Sequence, residues 1–145
     1  KPSKKELIDL NLLTTQRLNY FSPFFAKHGL EIDTSLKPSF INADLGDVSK
    51  ILDNLLSNAS KYAVPNSKVS IILESNFFSI SNTGHGISKE DQMKIFDRYT
   101  RFNDDQGGFG IGLNLVKECC KKNDIVVKCQ SELDGETTFL LSWQS

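Results

Sequence analysis

The stretch from residue 45 to residue 63 constrains the fold more than any other, because its pattern matches one kind of element. Its apolar residues recur at steps of three and four and form one continuous helix face: Leu45, Val48, Ile51, Leu52, Leu55, Leu56, Ala59 and Ala63. A different face carries Asn54, Asn58 and Lys61, at positions i, i+4 and i+7. The sequence therefore predicts a helix that buries one side and presents two amides and a cation beside the buried surface.

Amides on this helix suit one kind of ligand. An amide oxygen is a hard, neutral donor, and Mg²⁺ that already holds phosphates accepts such donors. The simpler reading is that Asn and Lys on a helix are solvated surface residues, and taken alone the stripe favours that reading. Two glycine motifs later in the chain reverse this preference.

The first glycine motif is Asn82-Thr83-Gly84-His85-Gly86-Ile87, at the end of a predicted strand, where glycines let a flat ligand approach the backbone. The second, residues 107–113, reads Gly-Gly-Phe-Gly-Ile-Gly-Leu and leads into a predicted helix. Glycines before a helix expose N–H groups at its positive end, where phosphate binds. This second motif is neither a Rossmann fingerprint nor a Walker A loop. Each alone fits a simple turn or a flexible helix entry.

Length, charge and cysteine content exclude several classes of function. The chain has 145 residues, enough for one domain with a full core, and its formal net charge is -1 without a basic cluster. Nucleic acid is therefore not an expected partner. No apolar run reaches the length of a membrane span, so we expect a domain that is not inserted in a membrane. Three cysteines, two of them adjacent, disfavour a disulfide framework or a zinc site and indicate reduced thiols.

The predicted elements alternate between helices and pairs of strands. We expect helices over residues 6–25, 44–63, 88–96 and 111–122, and strands over 30–36, 39–42, 68–73, 77–81, 124–131 and 137–143. Asp44 and Ser88 are the expected N-caps, and residues 97–110 form a polar, glycine-rich loop. This order predicts an α+β domain: a two-layer α/β sandwich with a mixed sheet and helices on one face.

Taken together, these motifs resemble the catalytic ATP-binding domain of bacterial sensor histidine kinases, in the superfamily that includes gyrase and the Hsp90 chaperones. Residues 54–62 resemble its N box, residues 82–87 its first glycine box, residues 95–102 its F box and residues 108–113 its second glycine box. The resemblance covers nearly the whole chain. It implies a Bergerat-type fold with a mixed, mostly antiparallel sheet, and residues 1–145 as a single catalytic domain.

The resemblance also implies ATP and Mg²⁺ as ligands and assigns roles by position. Asn58 would hold Mg²⁺, with Asn54 in support. Arg101, with Arg98 as a second candidate, would meet the γ-phosphate. Phe96 would anchor the base of a lid, although simple core packing explains it equally well. The remaining implied nucleotide contacts are Lys61, Tyr62, Asn82, Gly84, Gly86, Ile87, Gly108, Gly110, Ile111, Gly112 and Leu113.

Two positions carry further information about mechanism. The family's first glycine box usually begins with Asp, and Asn82 stands there instead; an amide both accepts and donates hydrogen bonds, whereas a carboxylate only accepts. ATP-hydrolysing relatives and anti-sigma serine kinases typically carry Glu where this chain has Asn54, and an amide cannot act as a general base. Histidine kinases carry Asn there, because an imidazole nitrogen is already nucleophilic.

The implied partners are a histidine-bearing dimerisation domain of the same protein and a response regulator. Neither His28 nor His85 lies in a helix followed by an acidic residue, as the phosphoacceptor does, so the acceptor is expected outside this chain. We expect an isolated domain that is monomeric and close to inert, cytoplasmic, with a parent protein in the bacterial inner membrane. The alternatives are an anti-sigma-like serine kinase and a non-catalytic nucleotide-binding pseudokinase module.

Overall fold

The computed structural model describes residues 4–97 and 111–144. In chain order the elements in these ranges are β1 (Lys5–Asp9), α1 (Leu10–Lys27), β2 (Glu31–Leu36), β3 (Phe40–Asp44), α2 (Leu45–Tyr62), β4 (Lys68–Leu73), β5 (Phe77–Thr83), α3 (Lys89–Gln92), α4 (Ile111–Lys122), β6 (Val126–Ser131) and β7 (Glu136–Ser142).

Five strands form the main sheet in the order β2-β4-β5-β7-β6. The β2–β4 pair is parallel, and the β4–β5, β5–β7 and β6–β7 pairs are antiparallel. A separate two-stranded antiparallel ladder joins β1 to β3. The predicted fold class is confirmed: the domain is an α+β sandwich of the Bergerat type, with helices over a mixed, mostly antiparallel sheet.

The core lies between the sheet and the helices, and alternation along the strands creates it. On β4, Val69, Ile71 and Leu73 are fully buried, whereas Ile72 points to the other side of the sheet and is 39% exposed. The outer face of the sheet is therefore open to solvent at Ile72. From the helix side, the apolar face of α2 is buried as predicted, including Ile51 and Leu56 at 0% exposure.

The predicted first helix is wrong at its start. Residues 5–9 form strand β1, and α1 begins at Leu10, with Asp9 as the N-cap accepting a hydrogen bond from the Leu12 N–H at 3.1 Å. The strand exists because β3 pairs with it, a contact between residues about thirty-five positions apart that no local pattern encodes. Pro23 does not end α1, which continues to Lys27 because Phe25 beyond it is buried in the core.

The structure corrects three smaller predictions, about the sheet membership of two strands, the length of α3 and the start of β6. The two strands after α1 lie in different sheets, because β2 pairs with β4 and β3 pairs with β1. Ser88 caps its helix as predicted, but α3 comprises only Lys89–Gln92, and turns follow as far as residue 97. The first strand of the last hairpin begins at Val126, because Asp124 has a φ of 57° that breaks the extended run. No helix in the described ranges combines the length and the apolar content that crossing a bilayer requires.

Candidate functional site

The predicted amide stripe lies on α2, which the sequence positions by its cap and its apolar face. Asp44 accepts a hydrogen bond from the Asp47 N–H at 2.9 Å and starts the helix as predicted. Asn54 and Asn58 are partly buried beside the apolar face, and Lys61 is exposed. Tyr62, the last residue of the helix, is partly buried.

The two amides of the stripe differ in their hydrogen bonding. Asn54 donates from Nδ2 to the Lys50 carbonyl oxygen at 2.8 Å, one helical turn back. Asn58 carries an Nδ2 atom that is buried and has no hydrogen-bond partner among the described residues. Buried polar groups are nearly always paired, and an unpaired one in a native fold needs an explanation. The buried, unpaired Nδ2 atom therefore argues against the simpler reading of Asn58 as a solvated surface residue.

The start of α4 meets the amide stripe directly. A Cβ added to Gly112 would lie 2.5 Å from Asn54 Oδ1, so a side chain at this position would require the Asn54 amide to move. Leu113, the next residue, has its side chain fully buried in the core. Ile111 is the first residue of α4. Gly108 and Gly110 lie outside the described residues, as do Arg98 and Arg101.

The first glycine motif lies against the C-terminal end of α2. The Val64 N–H donates to the Thr83 carbonyl at 2.8 Å, which joins the residue after the helix to the end of β5. A Cβ added to Gly84 would lie 2.5 Å from the Tyr62 carbonyl oxygen and 3.5 Å from Asn82 Nδ2. The residues predicted from the N box and the first glycine box are therefore neighbours in space.

The β6–β7 hairpin holds the first glycine motif in place, and local sequence reasoning missed this support. Gly84 N–H donates to the Gly135 carbonyl at 3.0 Å, and the Asp134 N–H donates to the His85 carbonyl at 2.7 Å. Gly86 has a φ of 77° and packs against the Glu132 carbonyl, so this position requires glycine. These contacts account for both glycines through packing, independently of any ligand.

A hydroxyl and an amide extend the support to Ile87. Ser131 accepts a hydrogen bond from the Ile87 N–H at 2.9 Å. Gln92 donates from Nε2 to the Ile87 and Ser131 carbonyls at 2.7 and 2.9 Å. Ile87 itself is 4% exposed and belongs to the core. The separation between residues 87 and 131 explains why no sequence motif reveals this arrangement.

Phe96 is fixed by packing at the end of the described segment. Its ring meets Phe139 edge to face at 6.3 Å between centroids, and Lys117 Nζ lies 5.9 Å from the Phe96 ring centroid. Asn114 on α4 donates to the Phe96 carbonyl at 3.3 Å. Core packing explains this residue, and the same contacts tie it to the helix that begins at the second glycine motif.

A polar cluster around the buried Asp47 joins the C-terminal end of α4 to the start of α2. Asp47 is 5% exposed, accepts from Asn123 Nδ2 at 2.9 Å and lies 3.4 Å from Lys122 Nζ. Cys119 Sγ lies 3.7 Å from Asp47 Oδ1. The start of α4 thus approaches α2 at Asn54, and the end of α4 approaches α2 at Asp47.

Ionisation in and near this cluster follows local contacts. The backbone N–H groups of Asp47 and Lys4 lower the pKa of the Asp44 cap. Burial, reinforced by the nearby Asp47 charge, raises the pKa of the Cys119 thiol. Burial raises the pKa of Cys120 to about 12, so both thiols stay protonated near neutral pH.

Known proteins resemble this chain in sequence and in fold. A model of the family described as "Histidine kinase-, DNA gyrase B-, and HSP90-like ATPase" matches residues 43–145. The sensor protein RprX of Bacteroides fragilis is 28% identical over 151 residues, which cover 96% of this chain and 29% of RprX. The histidine protein kinase SaeS of Staphylococcus epidermidis is 37% identical over 105 residues, which cover 66% of this chain and 30% of SaeS.

Full-length ShkA, whose crystal structure was solved in complex with AMPPNP, superposes with a TM-score of 0.83 at 25% identity, over 97% of this chain and 31% of that one. This chain matches only about three-tenths of RprX, SaeS and ShkA, at 29%, 30% and 31% of their lengths. The chain belongs to the family of histidine kinase-, DNA gyrase B- and HSP90-like ATPases, as an ATP-binding domain of the sensor histidine kinase type.

Proposed function

We propose that this domain binds Mg²⁺-ATP and donates the γ-phosphate to a histidine on a separate dimerisation domain, in two-component signal transduction. The observation that carries the proposal is the buried Asn58 Nδ2, which has no hydrogen-bond partner in the described part of the chain. An unsatisfied buried donor of this kind costs about 1–3 kcal/mol. A ligand that engages Asn58 offsets this cost, which favours binding at the amide stripe.

Asn58 fits the chemistry of a Mg²⁺ ligand. Its Oδ1 is a neutral, hard oxygen of the kind that Mg²⁺ takes together with phosphate oxygens and water. A phosphate oxygen or a water can accept the hydrogen bond that Nδ2 has to give. When bound, Mg²⁺ neutralises charge on the triphosphate. Asn54, one turn earlier and held by its bond to the Lys50 carbonyl, supports Asn58 and closes the site towards Gly112.

The other proposed contacts follow the same positions. Lys61 is an exposed cation one turn beyond Asn58 and attracts phosphate, and Tyr62 packs beside the base. Asn82 bonds the 6-amino group of adenine, and Gly84 and Gly86 keep the neighbouring surface free of side chains. Ile87 and Leu113 act from the core, by shaping the site through packing. Six further residues are proposed to contact the triphosphate, with the two arginines at the γ-phosphate: Gly108, Gly110, Ile111, Gly112, Arg98 and Arg101. Phe96 is proposed to anchor the base of the segment that carries these residues.

Asn54 directs the reaction towards a nucleophile that needs no activation. A carboxylate at this place would accept a proton from water or from a serine hydroxyl, and an amide does not. A neutral imidazole attacks phosphorus without a base. We therefore expect slow ATP hydrolysis and transfer to histidine. This expectation disfavours the anti-sigma-like serine kinase.

The acceptor histidine is proposed to lie on another domain. His28 ends α1 and is exposed, and His85 belongs to the first glycine motif, where the hairpin binds its backbone. The parent protein would carry the dimerisation domain, pass the phosphate to an aspartate of a response regulator and sit in the bacterial inner membrane with this domain in the cytoplasm. Without its acceptor the domain would be a monomer with little activity, because positioning provides most of phosphoryl-transfer catalysis.

The first experiment is calorimetric titration of the domain with ATP, with and without Mg²⁺. We expect Mg²⁺-dependent binding that is lost in Asn58→Ala, with a folded variant confirmed by circular dichroism. Asn76→Ala, an exposed turn residue between β4 and β5, is the matched control and should bind as the unchanged domain does. Absence of ATP binding by the unchanged domain would favour the pseudokinase module and withdraw the catalytic assignments.

The second experiment follows the phosphate. The domain is mixed with the dimerisation domain of its parent protein and radiolabelled ATP, and the stability of the product is measured. Phosphohistidine is lost in acid and survives alkali, whereas phosphoserine survives acid. A product that resists acid would refute transfer to histidine even if ATP binding holds.

A further inference from the structure

We propose that Asn82 makes the base-binding site tolerant at the 6-position of the purine, so that 6-oxopurine triphosphates bind nearly as well as ATP. The inference rests on the proposed nucleotide-binding function and names the substrate class of that same site. Two observations carry it, together with the chemistry of an amide: the place of Asn82 in the sheet and its lack of partners among the described residues.

Asn82 occupies the core-facing row of β5, where an apolar residue is expected. Ile80 and Phe78, two and four residues earlier on the same face, are each 2% exposed. The residues directly opposite Asn82 are Val69 on β4 and Thr137 on β7, at 0% and 4% exposure. A partly buried amide thus ends an apolar row, on the side of the sheet where the helices lie.

The Asn82 side chain has no hydrogen-bond partner among the residues that the structure describes. This sets it apart from Asn123, whose amide donates to Asp47 and to the Cys119 carbonyl and accepts from the Asp44 N–H. Such a network fixes which way an amide faces. At Asn82 no group in the described ranges selects between the two orientations, so a half-turn about the last side-chain bond exchanges oxygen and nitrogen at little cost.

An amide that can turn matches both kinds of purine edge. Adenine presents a 6-amino donor beside the N1 acceptor, and hypoxanthine presents a 6-oxo acceptor beside the N1–H donor. The amide satisfies the first with one orientation and the second with the other. A carboxylate only accepts, so an aspartate here would bond the amine and repel the 6-oxo group. Asn82 therefore removes the element that would reject the 6-oxopurine.

The test compares ATP with inosine triphosphate, which presents the 6-oxo edge. Dissociation constants with Mg²⁺ are measured calorimetrically for the unchanged domain, for Asn82→Asp and for Asn19→Asp, an exposed change that adds the same charge on α1 instead of β5. We expect the two nucleotides to bind the unchanged domain within tenfold of each other. Asn82→Asp should widen the ratio at least tenfold in favour of ATP, and Asn19→Asp should leave it unchanged.

The outcomes separate this inference from the function on which it rests. ATP binding with more than tenfold preference over inosine triphosphate overturns the inference and leaves the function standing. An unchanged ratio in Asn82→Asp does the same. No ATP binding by the unchanged domain overturns both. If Asn82→Asp does not fold, Asn82→Ala replaces it: we expect equal losses for the two nucleotides, and losses that differ more than tenfold overturn the inference.

Discussion

Replacing Gly112 with alanine tests the contact that joins the second glycine motif to the amide stripe. The new Cβ would lie 2.5 Å from Asn54 Oδ1, well inside van der Waals contact. The obstructing atom is the end of a side chain, so Asn54 can turn away while α2 and α4 stay in place. We therefore expect Gly112→Ala to fold and to displace the Asn54 amide.

Two opposing terms set the size of the effect on stability. Alanine is favoured over glycine within a helix by about 0.8–1 kcal/mol, and by less in the first turn, where Gly112 lies. Displacing Asn54 breaks its 2.8 Å bond to the Lys50 carbonyl, which is worth about 0.5–1.5 kcal/mol. An unfavourable rotamer adds about 0.5–1.5 kcal/mol. The losses exceed the gain, so the single variant should lose about 1 kcal/mol.

A double-mutant cycle isolates this contact. In an Asn54→Ala background the obstructing side chain is gone, and Gly112→Ala should then stabilise the domain by about 0.5 kcal/mol through helix propensity alone. The coupling free energy between the two positions is therefore about 1–2 kcal/mol. It is measured from urea unfolding of the four proteins, followed by circular dichroism.

The same proteins report on function. Because Gly112→Ala displaces Asn54, we expect it to weaken Mg²⁺-ATP binding severalfold, out of proportion to its small effect on unfolding. Additive unfolding free energies, with coupling below about 0.5 kcal/mol, would refute the contact between Gly112 and Asn54. Unchanged ATP affinity with clear coupling would leave the contact intact and refute its importance for the nucleotide.

Three further predictions concern the support around the site. Gly86→Ala should cost about 2–4 kcal/mol of unfolding free energy, because the φ of 77° and the adjacent Glu132 carbonyl both oppose a side chain. Gly135→Ala is the control: its added Cβ would lie 3.4 Å or more from the nearest atoms, so it should cost less than about 1 kcal/mol in the same urea experiment. Asp47→Ala should cost about 1–3 kcal/mol of unfolding free energy, because the buried Asn123 amide loses one of its two acceptors and the Cys119 thiol loses its contact with the carboxylate. Asp47→Asn should retain part of the network in the same urea experiment, and equal losses would contradict this account. Burial raises the pKa of the Cys120 and Cys129 thiols from 9.0 to about 12. The stability gained by keeping these thiols protonated in the folded state is therefore complete below pH 9 and falls as pH rises towards 12. Urea unfolding at several alkaline pH values should show this decline in stability, and the decline should be smaller in Cys129→Ala.

Local patterns in the sequence were sufficient for the helix that carries the site. The α2 period, the Asp44 cap and the common face of Asn54 and Asn58 depend on residues within a turn or two of each other, so the sequence predicts them and the structure confirms the helix and its cap. The fold class also follows from the order of elements. The resemblance to histidine kinases rests on four short motifs, and the family match confirms it.

Contacts between distant residues were beyond such patterns. Residues 5–9 look like the start of a helix and become β1 because β3 pairs with them. Gly86 belongs to a motif associated with ligands, and its φ and its contact with the Glu132 carbonyl give it a structural reason that only the β6–β7 hairpin supplies. Strand pairing and close packing are set by the partner surface, which lies elsewhere in the chain.

By itself, the sequence determined the elements with a local period, the types of side chain available to the site and the absence of a general base at Asn54. The tertiary structure decided which of these side chains are neighbours and which lack partners. It brought Gly112 against Asn54 and left the buried Asn58 Nδ2 without a described partner. The physical reason is that helical periodicity arises from bonds between near neighbours, whereas burial and pairing depend on surfaces that meet only when the chain folds.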